Sequence, residues 1–170
     1  SPVLEPIEGS KIVYINFSSD EFKLGGSSFA QVLNLLGNEV PTINDGKFFA
    51  KAFSAMQGMV AQKQLLAGHD ISEGGMVTVL LEMCFAIPEV GMDLDIASLG
   101  DDIVKILFSE NPGVIIQVKD STSLSTLNQN NIGYTELGTV TKKRSLNLKT
   151  ASGIQIFHTD KLRDTRFKTF

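Results

Sequence analysis

Three features of this 170-residue sequence predict an α+β fold, an α/β sandwich in which a mixed β-sheet is covered by helices. Short runs rich in β-branched and aromatic residues recur along the chain, as at Lys11–Phe17 and Val114–Val118. Between them lie stretches whose apolar residues repeat at helical spacing. The two element types mix from end to end, which puts them in one layered unit.

The elements follow in order. Residues 1–10 hold two prolines and little periodicity, and read as a linker ahead of one domain over residues 11–170. Lys11–Phe17 is a strand, and Ser18–Gly26 a polar loop. Phe29, Val32, Leu33 and Leu36 predict a helix with one buried face, stopped at Gly37-Asn38. A longer helix spans about Gly46–Gln64, with Phe49, Ala52, Phe53, Met56, Met59 and Val60 as its core stripe. Leu65–Gly68 is a short buried strand. The next helix buries Val77, Leu80, Leu81, Cys84 and Phe85 and ends at Pro88. Met92–Ile96 is a strand and Asp101–Phe108 a helix. Val114–Val118 is so continuously apolar that it reads as buried on both faces. Ser121–Asn128 is a helix, and Tyr134–Val140, Ser145–Leu148 and Ile154–Phe157 are strands. Lys161–Phe170 begins a last helix. Lys142-Lys143-Arg144 reads as a solvated turn between two strands.

Composition narrows the function classes. Hydrophobic residues make up 42% and charged residues 20%, which is not the profile of a disordered tail. With 15 Lys and Arg against 19 Asp and Glu, the net charge is −4, which argues against a general nucleic-acid binder. No apolar run reaches the roughly 20 residues of a membrane span, and no secretory signal pattern opens the chain. Cys84 is the only cysteine, so there is no disulfide scaffold, and a cytoplasmic, reducing compartment is expected.

The segment Gly68–Gly75, GHDISEGG, carries the chemistry. It lies where a strand hands over to a helix, the usual ligand position in open α/β sheets. Asp70 offers a hard carboxylate oxygen of the kind Mg²⁺ prefers. Ser72 can cap the helix and meet a phosphate oxygen. Gly74 and Gly75 allow close backbone approach at the positive end of the helix. An ordinary capped turn has the same spacing. The second glycine pair, Gly25-Gly26, also precedes a helix, and free N–H groups there could hold a phosphate, although the segment is neither a P-loop nor a dinucleotide fingerprint. His69 and His158 have no ligand-spaced partner, so no zinc site is expected. His69 reads as an orienting or a buried hydrogen-bonded imidazole, and Cys84 as an inert core thiol. Ser109–Gly113 is a binding loop or simply a turn.

LGGSSFAQV at Leu24–Val32, LLAGHDISEGGMVTVLLEMCFA at Leu65–Ala86 and GVIIQV at Gly113–Val118 together resemble phosphoribosylformylglycinamidine synthase of the large single-chain type. The likeness is to the second of its two AIR-synthetase-related C-terminal-type domains. It implies an AIR synthetase C-terminal domain-like fold and an ATP-dependent ligase, a glutamine amidotransferase of de novo purine biosynthesis. That enzyme converts formylglycinamide ribonucleotide, glutamine and ATP to formylglycinamidine ribonucleotide. The resemblance places Asp70 on Mg²⁺ and Ser72 on the nucleotide of an auxiliary ATP/ADP site, with Gly74, Gly25 and Gly26 as further nucleotide contacts and no catalytic residue in this domain. It also implies that this chain is one domain of a longer one and inactive alone. Its partners would be the other synthase and glutaminase domains and a small-molecule nucleotide, not nucleic acid or membrane. Apolar surface meant for those domains could drive self-association. A different ATP-binding member of the AIR-synthetase superfamily is the alternative, and a non-catalytic dimerisation module the second.

Overall fold

The computed structural model describes residues 1–168. Its elements in chain order are β1 (Lys11–Asn16), α1 (Ser28–Val32), α2 (Gly46–Ala61), β2 (Ala67–Asp70), α3 (Gly75–Phe85), β3 (Gly91–Asp95), α4 (Ile103–Phe108), β4 (Gly113–Val118), α5 (Ser125–Gln129), β5 (Thr135–Thr141), β6 (Ser145–Thr150), β7 (Gly153–His158) and α6 (Thr159–Lys168). Short 3₁₀ turns precede α4 and α5. The last two residues of the expected final helix lie outside the described residues.

The strands form one mixed sheet in the order β2-β4-β1-β5-β3-β6-β7. Every pairing is antiparallel except β3 with β6. Strand alternation splits the core in two. Ile12 and Tyr14 of β1 and Ile115 of β4 face α3 and α4, whereas Val13, Ile15 and Ile116 face α2 and α5. Helices thus cover β4 on both faces, and its apolar run is buried as expected. On the α2 side the cover stops short of β3, β6 and β7. There Asp93, Asp95, Asn147, Lys149, Ile154 and Ile156 line an open groove of about 510 Å³.

Several expectations change. Residues 1–10 are irregular but docked, not a free linker. Leu4 is buried and its N–H donates to Met83 O. Gln117, fully buried in β4, accepts from Glu5 N and donates to Glu5 O and Ser10 Oγ. The expected buried helix over Phe29–Leu36 is a single turn. Val32, Leu33 and Leu36 are exposed, because Gly37 and Gly25 bring the chain back into a loop before a second turn can form. Phe53 and Val60 of the α2 stripe also face solvent, while Ala52, Met56 and Met59 pack. β2 begins two residues later than expected and includes His69 and Asp70, because Leu65 and Leu66 lead into the edge of the sheet. Arg144 is no solvated turn residue. Its guanidinium donates to Cys84 O, Phe85 O, Ile87 O and Val90 O and pairs with Asp160. A fork of fixed donors suits the unpaired carbonyls that end α3.

Candidate functional site

β2 is an edge strand paired only with β4, and Asp70 is its last residue. Ile71 N donates to Gly113 O, which carries the pairing one step beyond the strand. The chain then turns: Gly75 N donates to Ser72 O, and α3 begins after Gly74 in the left-handed conformation at φ 86°. That conformation suits glycine because it has no Cβ. The turn therefore leaves two polar groups at the surface. The Asp70 carboxylate is 82% exposed. Ser72 is also exposed, and its side chain does not cap α3, contrary to the expectation, because Gly74 fills the N-cap position.

His69 sits behind them. Its Nδ1 donates to Asp70 O at 2.8 Å, and its Nε2 meets Glu82 Oε2 at 3.2 Å. Glu82 in turn pairs with Arg166 of α6. The imidazole is thus anchored by its Nδ1 to the backbone that presents Asp70, with its Nε2 beside the Glu82 carboxylate. Cys84 is fully buried, and burial pushes its thiol up to about 12, so it is no nucleophile at neutral pH.

The two glycine-rich segments do come together, but not with free N–H groups. Gly25 N donates to Glu39 O, Gly26 N to Leu36 O and Ser27 N to Leu24 O. Glu110, from the loop after α4, completes the pattern. Its Oε1 accepts from Ser28 N at 2.8 Å and from Gly74 N at 2.8 Å. One carboxylate oxygen thus joins the first residue of α1 to the residue that starts α3. The expectation that Gly25-Gly26 offers an empty phosphate cradle is corrected: the protein's own carbonyls and carboxylate satisfy those donors.

The Ser109–Gly113 loop is also a brace. Asn111 is buried, donates to Ser18 Oγ and Glu21 O, and accepts from Lys23 N. Beside it, Asp20 accepts from Lys23 Nζ and from Thr42 N and Glu21 N, which holds its carboxyl down at about 2. No sequence pattern signals the Glu110 bridge, since its two partners lie 82 and 36 residues away.

Between α2 and β2 a cavity of about 220 Å³ opens next to His69 and Asp70, lined by Phe53, Met56, Val60 and Val114 among others. No group of three His, Cys, Asp or Glu poised for a metal occurs among the described residues. Asp70 alone still fits Mg²⁺, which keeps several waters and takes one or two carboxylates together with phosphate oxygens.

Comparison with known proteins gives the family and the fold. Residues 8–150 match the family model described as AIR synthase related protein, C-terminal domain. Phosphoribosylformylglycinamidine synthase of Homo sapiens is 36% identical over 121 residues, covering 71% of this chain and 9% of that protein. The probable phosphoribosylformylglycinamidine synthase of Caenorhabditis elegans is 38% identical, with 71% of this chain and 10% of that protein covered. Among solved structures, T. maritima PurL complexed with ATP superposes with a TM-score of 0.69 at 13% identity, over 95% of this chain and 27% of that one. Hydrogenase maturation protein HypE in complex with ATP superposes at 0.58 and 13% identity, over 92% of this chain and 52% of that one. At such identities the structural matches show a shared fold.

Proposed function

The chain belongs to the AIR synthase related proteins, as their C-terminal domain, and from that premise we propose that it is a domain of a phosphoribosylformylglycinamidine synthase that helps form a Mg-nucleotide site. The chain spans about a tenth of the length of the curated relatives it matches. The activity belongs to a longer protein: ATP-dependent conversion of formylglycinamide ribonucleotide and glutamine to formylglycinamidine ribonucleotide, as a cytoplasmic ligase. This domain's partners are then the other synthase and glutaminase domains and a nucleotide. Among the described residues no helix is long and apolar enough to cross a membrane.

The observation that carries the reading is the exposed pair at the end of β2. Asp70 and Ser72 stand two residues apart, with no packed side chains over them, at the start of α3. Mg²⁺ held there would neutralise phosphate charge. Asp70 supplies one oxygen ligand, Ser72 a hydroxyl for a phosphate oxygen, and His69 keeps the turn in place. Because the N–H groups of Gly25, Gly26 and Gly74 are already engaged, these glycines shape the nucleotide site instead, Gly25 by packing against Glu39 and Gly74 against Thr78. The superposition on both PurL and HypE, each solved with ATP, supports a nucleotide ligand, and the relatives' identity favours the purine enzyme over another superfamily member.

The test is MgADP binding by calorimetry in the full-length protein. Asp70→Ala removes one metal ligand and is expected to weaken binding at least tenfold, about 1.4 kcal/mol. Unchanged binding in that variant overturns the role of Asp70.

A further inference from the structure

We propose that Glu110 is the positioning residue of this site: its carboxylate latches the α1 loop to the turn that presents Asp70 and Ser72. The inference rests on the nucleotide reading above for its functional half and on geometry alone for its structural half.

The geometry is specific. A single oxygen, Oε1, takes both Ser28 N–H and Gly74 N–H at 2.8 Å. Each N–H lies at a helix start, where backbone donors lack intrahelical partners, and a carboxylate accepting them makes charge-assisted hydrogen bonds, about twice as strong as neutral ones. The latch is held from behind. Phe108, two residues before Glu110, stacks on Phe29 of α1 with ring centroids 4.5 Å apart. Gly75 packs so closely on α4 that a Cβ there would stand 2.6 Å from Leu107 O. Asn111, one residue after, is locked to the Ser18–Lys23 loop. Glu110 therefore cannot follow one partner without dragging the other. Gly74 ends the turn that begins at Asp70, so whatever restrains Gly74 restrains the backbone that carries Asp70 and Ser72.

A second consequence concerns anions. The α3 start already holds a carboxylate, so a phosphate group must dock on the Asp70–Ser72 side of the turn and not on Gly74 N–H.

Two readouts test this, amide exchange in the chain itself and MgADP binding in the full-length protein. Amide hydrogen exchange in Glu110→Ala is expected to rise at least tenfold at Ser28 and at Gly74 together, with far-UV circular dichroism unchanged. In Glu110→Gln, whose side-chain carbonyl can still accept both N–H groups, most of the protection is expected to return. Acceleration at only one of the two amides, or at neither, overturns the latch. Titration of the full-length protein with MgADP, followed by calorimetry, reads the functional half. Glu110→Ala is expected to weaken the response at least fivefold and Glu110→Gln to restore most of it. An unchanged MgADP response in Glu110→Ala, with Asp70→Ala abolishing it, overturns the positioning role. If the wild-type full-length protein does not bind MgADP, the nucleotide reading fails, while the exchange data still decide the latch.

Discussion

At the scale of single residues, the candidate site depends on two neighbouring glycines that do different things. Gly74 takes a left-handed φ to start α3 and passes its N–H to Glu110. Gly75 has φ 73° and lies against the end of α4, where a Cβ would meet Leu107 O and the backbone of Phe108 below 3.0 Å. Neither atom is the tip of a flexible side chain, so the helices would have to separate. Gly75→Ala is expected to cost roughly 1–3 kcal/mol of stability, read as a lower urea midpoint at unchanged slope; a midpoint within error of wild type would sink the argument. The glycine pair is plain in the sequence as a turn before a helix. That its N–H groups are already taken is not, because Glu110 sits in a segment that reads equally well as a turn.

At the scale of elements, the sequence marks helices and strands well where one face is buried. The bounds of α2 and α3 and the β4 run lie close to where periodicity puts them, although Phe53 and Val60 of the α2 stripe face solvent. It misleads at α1, where four apolar residues at helical spacing belong to a five-residue helix and an exposed loop. Periodicity records which residues could share a face, not whether a layer exists to cover them. Arg144 shows the converse. In sequence it is the end of a basic turn; in the fold it closes the C-terminal end of α3, taking four carbonyls. Arg144→Ala strands several of these carbonyls where water has little access, a loss of roughly 1–3 kcal/mol for each group left fully unsatisfied. The expected result is a drop in thermal midpoint with faster amide exchange confined first to the last turn of α3. Uniform exchange throughout the domain, or no drop, would count against the cap.

At the scale of the whole molecule, the fold leaves much apolar surface uncovered. Val32, Leu33, Leu35, Leu36, Val40 and Ile43 are each at least 42% exposed within one stretch. Exposed apolar residues this dense along one stretch are candidates for an interface. Sedimentation of the isolated chain is expected to show mass rising with concentration, and Leu35→Asp with Leu36→Asp to remove the rise; a monomer at all concentrations would refute self-association. The family likeness, the strand-to-helix position of Asp70 and Ser72, and the burial of β4 are determined by the sequence alone, because each depends on residues that are neighbours along the chain. The tertiary structure alone decides the docking of residues 1–10 onto Gln117, the uncovered half of the sheet, the cap by Arg144 and the bridge by Glu110. Each of these joins groups many residues apart, and which distant donor meets which acceptor is set only when the sheet order brings them within hydrogen-bond reach.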